Sequence, residues 1–387
     1  MAQGGLRGRI AGYYAAEYAA SSAFNGFVTL FYAARGMDAG RVSLLMTAGP
    51  LVALFALPVT GALADRARRR ALALCAVYGL CALSSLCFLP ARGFWPLLCA
   101  TALFSCFSTC VSPLGEALAL SRLHAAGLGF GRLRMAGTVS YALGSLLLGA
   151  FLDGGIERFV PSVCALYALG GACSLLLASR TGQTPGGAKK RPPFLSLLRR
   201  RELRTLLLFA LCLQAAQGVF YTLYGLFMTQ SLHGTRADVG LGALVGTLSE
   251  IPFLLFADRL LRRLGAPRLL LLSAAGMALR LLLTGLSRSP AAAIAAQALC
   301  VDGIIVCAFA MAQYVSLSVP RAQAASGQML LYVFTYAAAR TLGSLLALGL
   351  TRLPSLGAAL CACAALPAAL LLFARPLLRL PPLPTRR

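Results

Sequence analysis

Apolar segments about twenty residues long recur along this chain between short polar loops, and that recurrence restricts the fold to one that spans a membrane. A helical span takes roughly 20 mostly apolar residues. Twelve such segments can be laid out, at roughly 11–34, 42–64, 70–90, 95–118, 134–153, 159–178, 204–229, 238–257, 267–286, 289–316, 324–351 and 354–374. Hydrocarbon offers no water to backbone N–H and C=O groups, so each segment must close its hydrogen bonds internally as a helix. The composition agrees: of 387 residues, 59% are hydrophobic and 12% are charged, and the mean hydropathy is +0.79. A soluble domain has no use for so much apolar surface.

Charge gives the orientation. The net charge of +24 comes from 35 basic and 11 acidic residues. In a soluble protein that excess would point to nucleic acid, but here the basic residues form short runs between apolar segments, so the expected partner is the lipid bilayer. With the N-terminus inside and the spans alternating, the runs at Arg66–Arg70, Lys189–Arg191, Arg199–Arg201 and Arg259–Arg263 all fall on the inner side. That asymmetry predicts a cell-membrane protein with both termini cytoplasmic. Trp95, the only tryptophan, falls at an outer interface. Most of the thirteen cysteines lie inside apolar segments and no zinc-type CxxC pair occurs, so neither a metal nor a cofactor is expected.

One long polar, basic link lies near the middle and divides the chain into a six-helix bundle at 1–178, a cytoplasmic linker at 179–203 and a second bundle at 204–387. The halves echo one another. Asp65-Arg66 and the basic run after it follow the second span, and Asp258-Arg259 with a similar run follows the eighth. Duplicated six-helix halves are a known transporter plan, with substrate bound near the bilayer midplane.

Two stretches carry a resemblance. Gly61-Ala62-Leu63-Ala64-Asp65-Arg66-Ala67-Arg68-Arg69-Arg70 resembles the Gly-x-x-x-Asp-Arg-x-Gly-Arg-Arg signature of the major facilitator superfamily, without its second glycine. Pro113-Leu114-Gly115-Glu116 and Phe130-Gly131-Arg132-Leu133-Arg134-Met135-Ala136-Gly137, with Tyr141 beyond, resemble the corresponding stretches of lactose permease and the oligosaccharide–proton symporters. The resemblance implies an all-α polytopic membrane protein of twelve helices in two pseudo-symmetric bundles. It makes Asp65, Arg66, Asp258 and Arg259 a cytoplasmic gate. It makes Glu116 and Arg134 sugar contacts and Tyr141, where the family has tryptophan, a stacking ring. The residues themselves fit: a carboxylate and a guanidinium together match vicinal hydroxyls.

The second half carries single charges in apolar surroundings: Glu250, Arg280, Asp302 and Arg340. Intramembrane charges are costly and mark function. By the resemblance, Glu250 and Asp302 are proton-linked acids with Arg280 as their modulator, and Asp302 is an expected partner for Arg340. The family's histidine on the tenth span is replaced by Cys300. On the seventh span Gln214, Gln217, Tyr221 and Tyr224 recur every three to four residues, a polar stripe expected to face a cavity, with Gln214 and Gln217 as further substrate contacts. On the first span Glu17 stands among Tyr13, Tyr14 and Tyr18, either as a cavity wall or as an interfacial cluster with Glu17 reaching toward water.

No nucleophile–base pair, metal spacing or nucleotide-binding loop occurs, so an enzyme or a built-in ATP drive is not expected. The expected activity is proton-coupled import of a small polyhydroxylated solute, a sugar, oligosaccharide or nucleoside, by alternating access in a functional monomer. The rival is proton-driven efflux of drugs or other amphiphiles. It is disfavoured because the fifth span, Gly144-Ser145-Leu146-Leu147-Leu148-Gly149, lacks the Gly-Pro signature of such antiporters.

Overall fold

The structure, a computed structural model, describes residues 2–66, 69–126, 130–178, 201–299, 306–307, 310–311 and 331–372. Side chains at 2–4, 57–66, 120–121, 123–126, 130–134, 202, 254–255, 257–258 and 262 lie outside the description. The described residues are helical and contain no strand. Among the described residues eight segments are long and apolar enough to cross a membrane, among them Ala39–Ala56, Leu203–Ser231, Arg263–Leu286 and Val333–Leu350. Two shorter apolar pieces, Pro290–Leu299 and Leu356–Leu372, fall on the expected tenth and twelfth spans. The chain is an all-α polytopic membrane protein. It divides into two compact units, residues 1–188 with 235–244, and residues 189–234 with 245–387.

The first unit contains α1 (Ala2–Ala34), α2 (Ala39–Arg66), α3 (Arg70–Ser85), α4 (Phe94–Ala126), α5 (Phe130–Asp153) and α6 (Phe159–Ser174). Helix α1 packs on α5, α2 on α4 and α3 on α6. Helix α1 is too polar to count among the eight membrane-length segments, because Tyr13, Tyr14, Glu17 and Ser22 lie on it; all four are buried inside the unit. An aromatic core locks it there. The rings of Phe24 and Phe104 lie 4.3 Å apart, and Phe31 stacks on Phe159 at 4.9 Å. Small residues let the backbones close in, as membrane helices require when lipid supplies no hydrophobic drive. Ser140 Oγ on α5 donates to the Ala15 carbonyl of α1 at 2.6 Å, and the faces of Gly115 and Gly137 are filled by Tyr13 and Tyr18.

Helix α7 (Arg201–Leu226) is the axis of the second unit. Of its Leu203–Ser231 segment 78% is buried, against 28% of Val333–Leu350. It ends in a π-turn, Phe227–Ser231. Helix α8 (Arg236–Leu286) contains the expected eighth and ninth spans in one run, broken at Gly265 with φ 75 and ψ 161. That conformation is open essentially to glycine alone, which is why the two legs meet there. Then come α9 (Pro290–Ala295), a π-turn at Val333–Ala338 leading into α10 (Ala339–Leu350), α11 (Leu356–Cys363) and α12 (Ala365–Leu372). Ser289 and Ser355 start α9 and α11 as N-caps, accepting from Ala292 N and Ala358 N.

The first turns of α8 belong to the first unit, and a borrowed cap holds them there. Asp153, at the end of α5, accepts from the backbone N–H groups of Arg236 and Ala237 at 2.7 and 3.2 Å. Arg236 Nη1 returns a bond to the Leu152 carbonyl at 2.9 Å. A carboxylate at a helix N-terminus satisfies orphan donors and opposes the positive end of the dipole. Asp153→Ala is therefore expected to cost about 1 kcal/mol and to raise amide hydrogen exchange at residues 236–239 selectively. Unchanged exchange there would remove the cap's significance.

Candidate functional site

Two adjacent residues of α7, Phe220 and Tyr221, each carry an arginine on the ring face. The first is Arg280 on the second leg of α8, only 2% exposed. Its guanidinium carbon lies 3.9 Å from the Phe220 ring centroid, and Phe220 stacks in turn on Tyr224 at 4.7 Å. Nε donates to Gln297 Oε1 at 2.9 Å and Nη1 donates to Gln217 Oε1 at 3.2 Å. Gln297 is anchored through its own amide nitrogen, which donates to Thr284 Oγ1 at 3.2 Å and the Ala293 carbonyl at 2.8 Å. Gln217 Oε1 is thus fixed as the acceptor, and its Nε2, buried, has no hydrogen-bond partner among the described residues. Among the described residues the guanidinium is held by two neutral amides and a ring, with no carboxylate. A desolvated cation without a counter-ion is expensive. The cation–π contact and the charged hydrogen bonds offset part of that cost.

The second is Arg340 on α10. Its guanidinium carbon lies 4.8 Å from the Tyr221 centroid and 4.6 Å from that of Tyr336. Tyr336 stacks on Tyr332 at 4.9 Å with the planes 23° apart. The result is a column of Tyr332, Tyr336, Arg340 and Tyr221, every member half-buried.

The remaining expected site residues are dispersed. Glu116 on α4, Tyr141 on α5, and Gln214 and Glu250 on α7 and α8 are half-buried. The Cys307 thiol lies within hydrogen-bonding reach of Gln214. The side chains of Arg134, Asp65, Arg66 and Asp258 fall outside the description, as does Asp302 entirely, while Arg259 is exposed. Gln217, expected to line a cavity, is 2% exposed and points at Arg280. Glu17 is 4% exposed, with Tyr13 and Tyr14 fully buried, and its carboxyl is in electrostatic reach of Tyr13 and Tyr78. It therefore sits in the interior of the first unit and does not reach toward water. Among the described residues no three His, Cys, Asp or Glu side chains gather to hold a metal.

The model of the MFS_1 like family matches residues 8–351. The chain belongs to this transporter family. The maltose permease of Geobacillus stearothermophilus is 29% identical over 247 residues, covering 62% of this chain and 60% of the permease. The uncharacterized transporter YwbF of Bacillus subtilis (strain 168) is 22% identical over 242 residues, covering 61% of this chain and 59% of that protein. The chain thus matches about three fifths of the length of these curated relatives. Among solved structures, a mutant of the nucleoside transporter NupG superposes with a TM-score of 0.85 over 97% of this chain and all of that one, at 12% identity. A POT family transporter bound to a thioalcohol-conjugated peptide gives 0.74 over 96% of each, at 14% identity. At such identities these two likenesses concern the fold.

Within this MFS_1 like chain, sequence reasoning missed Phe220, Thr284, Gln297, Tyr332 and Tyr336. Gln297 was detectable as a lone amide in the Ala-rich run Pro290–Leu299. Tyr332, Tyr336 and Arg340 recur at intervals of four, a helical stripe that a search for charge pairs passes over.

Proposed function

We propose that this protein is a secondary transporter that imports a small polyhydroxylated solute, a sugar or oligosaccharide before a nucleoside, together with protons. The observation that carries the reading is the Arg280 cage: a buried guanidinium within a membrane-length helix, held by neutral partners, beside an amide N–H₂ with no acceptor. A cation kept this way is ready to receive a carboxylate that has lost its proton. Glu250 and Asp302 are the carboxylates assigned to that exchange, with Arg280 as their counter-ion and Arg340 as the second fixed cation. Gln217 and Gln297 hold Arg280 in place while the acids are protonated.

Solute binding is assigned to Glu116, Arg134 and Tyr141 in the first unit and to Gln214 in the second. Asp65, Arg66, Asp258 and Arg259 are assigned to a cytoplasmic gate. The 29% identical maltose permease supports a sugar as the first solute to try. No step requires a cofactor, and the chain transports rather than transforms its solute.

The test is uptake into proteoliposomes across an imposed pH gradient, acid outside. Maltose uptake is expected to rise with the gradient and to collapse on adding a protonophore, with uridine as the nucleoside arm. If neither solute enters and an amphiphilic dye is instead driven out, the import reading is wrong and efflux replaces it.

A further inference from the structure

We propose that the Tyr332–Tyr336–Arg340–Tyr221 column is a ring-recognition subsite of the second unit, taking the flat face of a pyranose or a nucleobase on its tyrosines and an oxygen of the same solute on Arg340. The proposal rests on the transport reading above and deepens it by naming where the solute's ring is held.

Three observations support it. The first is the backbone. Tyr336 lies in the π-turn Val333–Ala338 and Tyr332 immediately precedes it. A π-turn inside an α-helix is rare and is found frequently at functional sites. Residues four apart share one face of a helix, and the two phenol rings stack 4.9 Å apart.

The second is direction. The exposed leucines of α10 are Leu342, Leu345 and Leu346, at 42, 45 and 44%. At about 100° per residue they lie roughly 140–240° around the helix from Arg340. The lipid-facing stripe is therefore opposite the guanidinium. An arginine only half-buried in a membrane-length helix faces a protein-lined or aqueous path, because lipid would not tolerate it.

The third is chemistry. A guanidinium between two tyrosine faces is fixed as a plane, with its N–H groups projecting from the edges. Stacked tyrosines present a flat apolar face with a polar tip at its end. Together they match a solute with one flat face and oxygens on its rim. A purely structural stack would hold α7 to the π-turn equally well with phenylalanines or leucines, and would be buried. No member of this one is fully buried.

The experiment is titration calorimetry on the purified full-length protein in nanodiscs, with maltose and uridine as the two probes. Tyr336→Leu is expected to weaken binding of the accepted probe about tenfold, and Tyr332→Leu several-fold. Tyr336→Phe should weaken it less than Tyr336→Leu, because the ring face remains and only the polar tip is lost. Arg340→Lys should weaken binding while leaving the protein monodisperse, since lysine keeps the charge and loses the plane. Tyr167→Phe, in the first unit, is the control. Should Tyr336→Leu not purify as a folded species, Tyr332→Leu and Arg340→Lys carry the test. Parent-like affinity in the folded leucine variants overturns the subsite and leaves the transport reading standing. A parent protein that binds neither probe overturns both.

Discussion

Arg280→Gln is expected to abolish gradient-driven accumulation, lowering it at least about 100-fold, or ~2.7 kcal/mol, while exchange of solute between equal concentrations persists. The side chain's geometry sets this expectation. Its two amide partners present carbonyl oxygens at 2.9 and 3.2 Å, and only a guanidinium reaches both while lying flat on Phe220. Removing it leaves Gln217 and Gln297 with buried acceptors unmet, a cost of about 1–3 kcal/mol each in stability, so folding must be checked beside transport. Arg280→Lys should recover little, because one ammonium cannot serve both amides and stack. Gln217→Glu is the sharper companion. It places a permanent carboxylate against the guanidinium at the position of an existing hydrogen bond, so it should leave the fold intact and still lose the proton gradient's pull. The measurement is initial uptake with and without the gradient, beside counterflow. If Arg280→Gln still accumulates solute against its gradient, the arginine is a packing group and the coupling assignment fails.

Apolar periodicity made the helices legible. The punctuation that the structure shows, Ser289 and Ser355 as caps and Gly265 as the break, was not read from the sequence, although caps and glycine act within a few residues. What the stripe on α7 meets was not legible. Gln217 stands on a polar face, and a polar face in a membrane suggests water, yet its partner Arg280 is 63 residues away and Gln217 itself is buried against it. Periodicity gives the direction of a side chain relative to its own helix and says nothing of what the next helix brings. Glu17 illustrates the same limit: a carboxylate on the first span belongs in a cavity or at the interface by local reasoning, and tertiary packing puts it at 4% exposure among tyrosines. Arg340 was expected beside Asp302, which lies outside the described residues; what the sequence did not suggest is that its guanidinium also meets the faces of Tyr221 and Tyr336.

Gly343→Ala is expected to destabilise the second unit, and Gly343→Leu to prevent a monodisperse protein from being recovered. A Cβ on Gly343 would run into the Ala215 carbonyl and lie 2.7 Å from Gly218 Cα and 3.0 Å from Gly218 C. Every one of those atoms is backbone, so no side chain can swing away, and α7 and α10 would have to separate. Overpacking of this kind costs about 1–3 kcal/mol for a small group, or several degrees in apparent Tm. Gly349→Ala, on the same helix, is the control, since no atom lies within 4 Å of its Cβ. Both substitutions gain helix propensity, up to about 1 kcal/mol, so a fall at 343 with no fall at 349 isolates the close approach. The effect should extend to binding. A Cβ on Gly218 would also lie 3.4 Å from Arg340 Cα, so the glycine contact is what sets the Arg340 backbone against α7 and lays its guanidinium over Tyr221. A folded Gly343→Ala protein should therefore bind its solute more weakly as well as melt earlier. A variant as stable as the parent would mean that the two helices can part without cost, and the column of rings would lose its fixed wall.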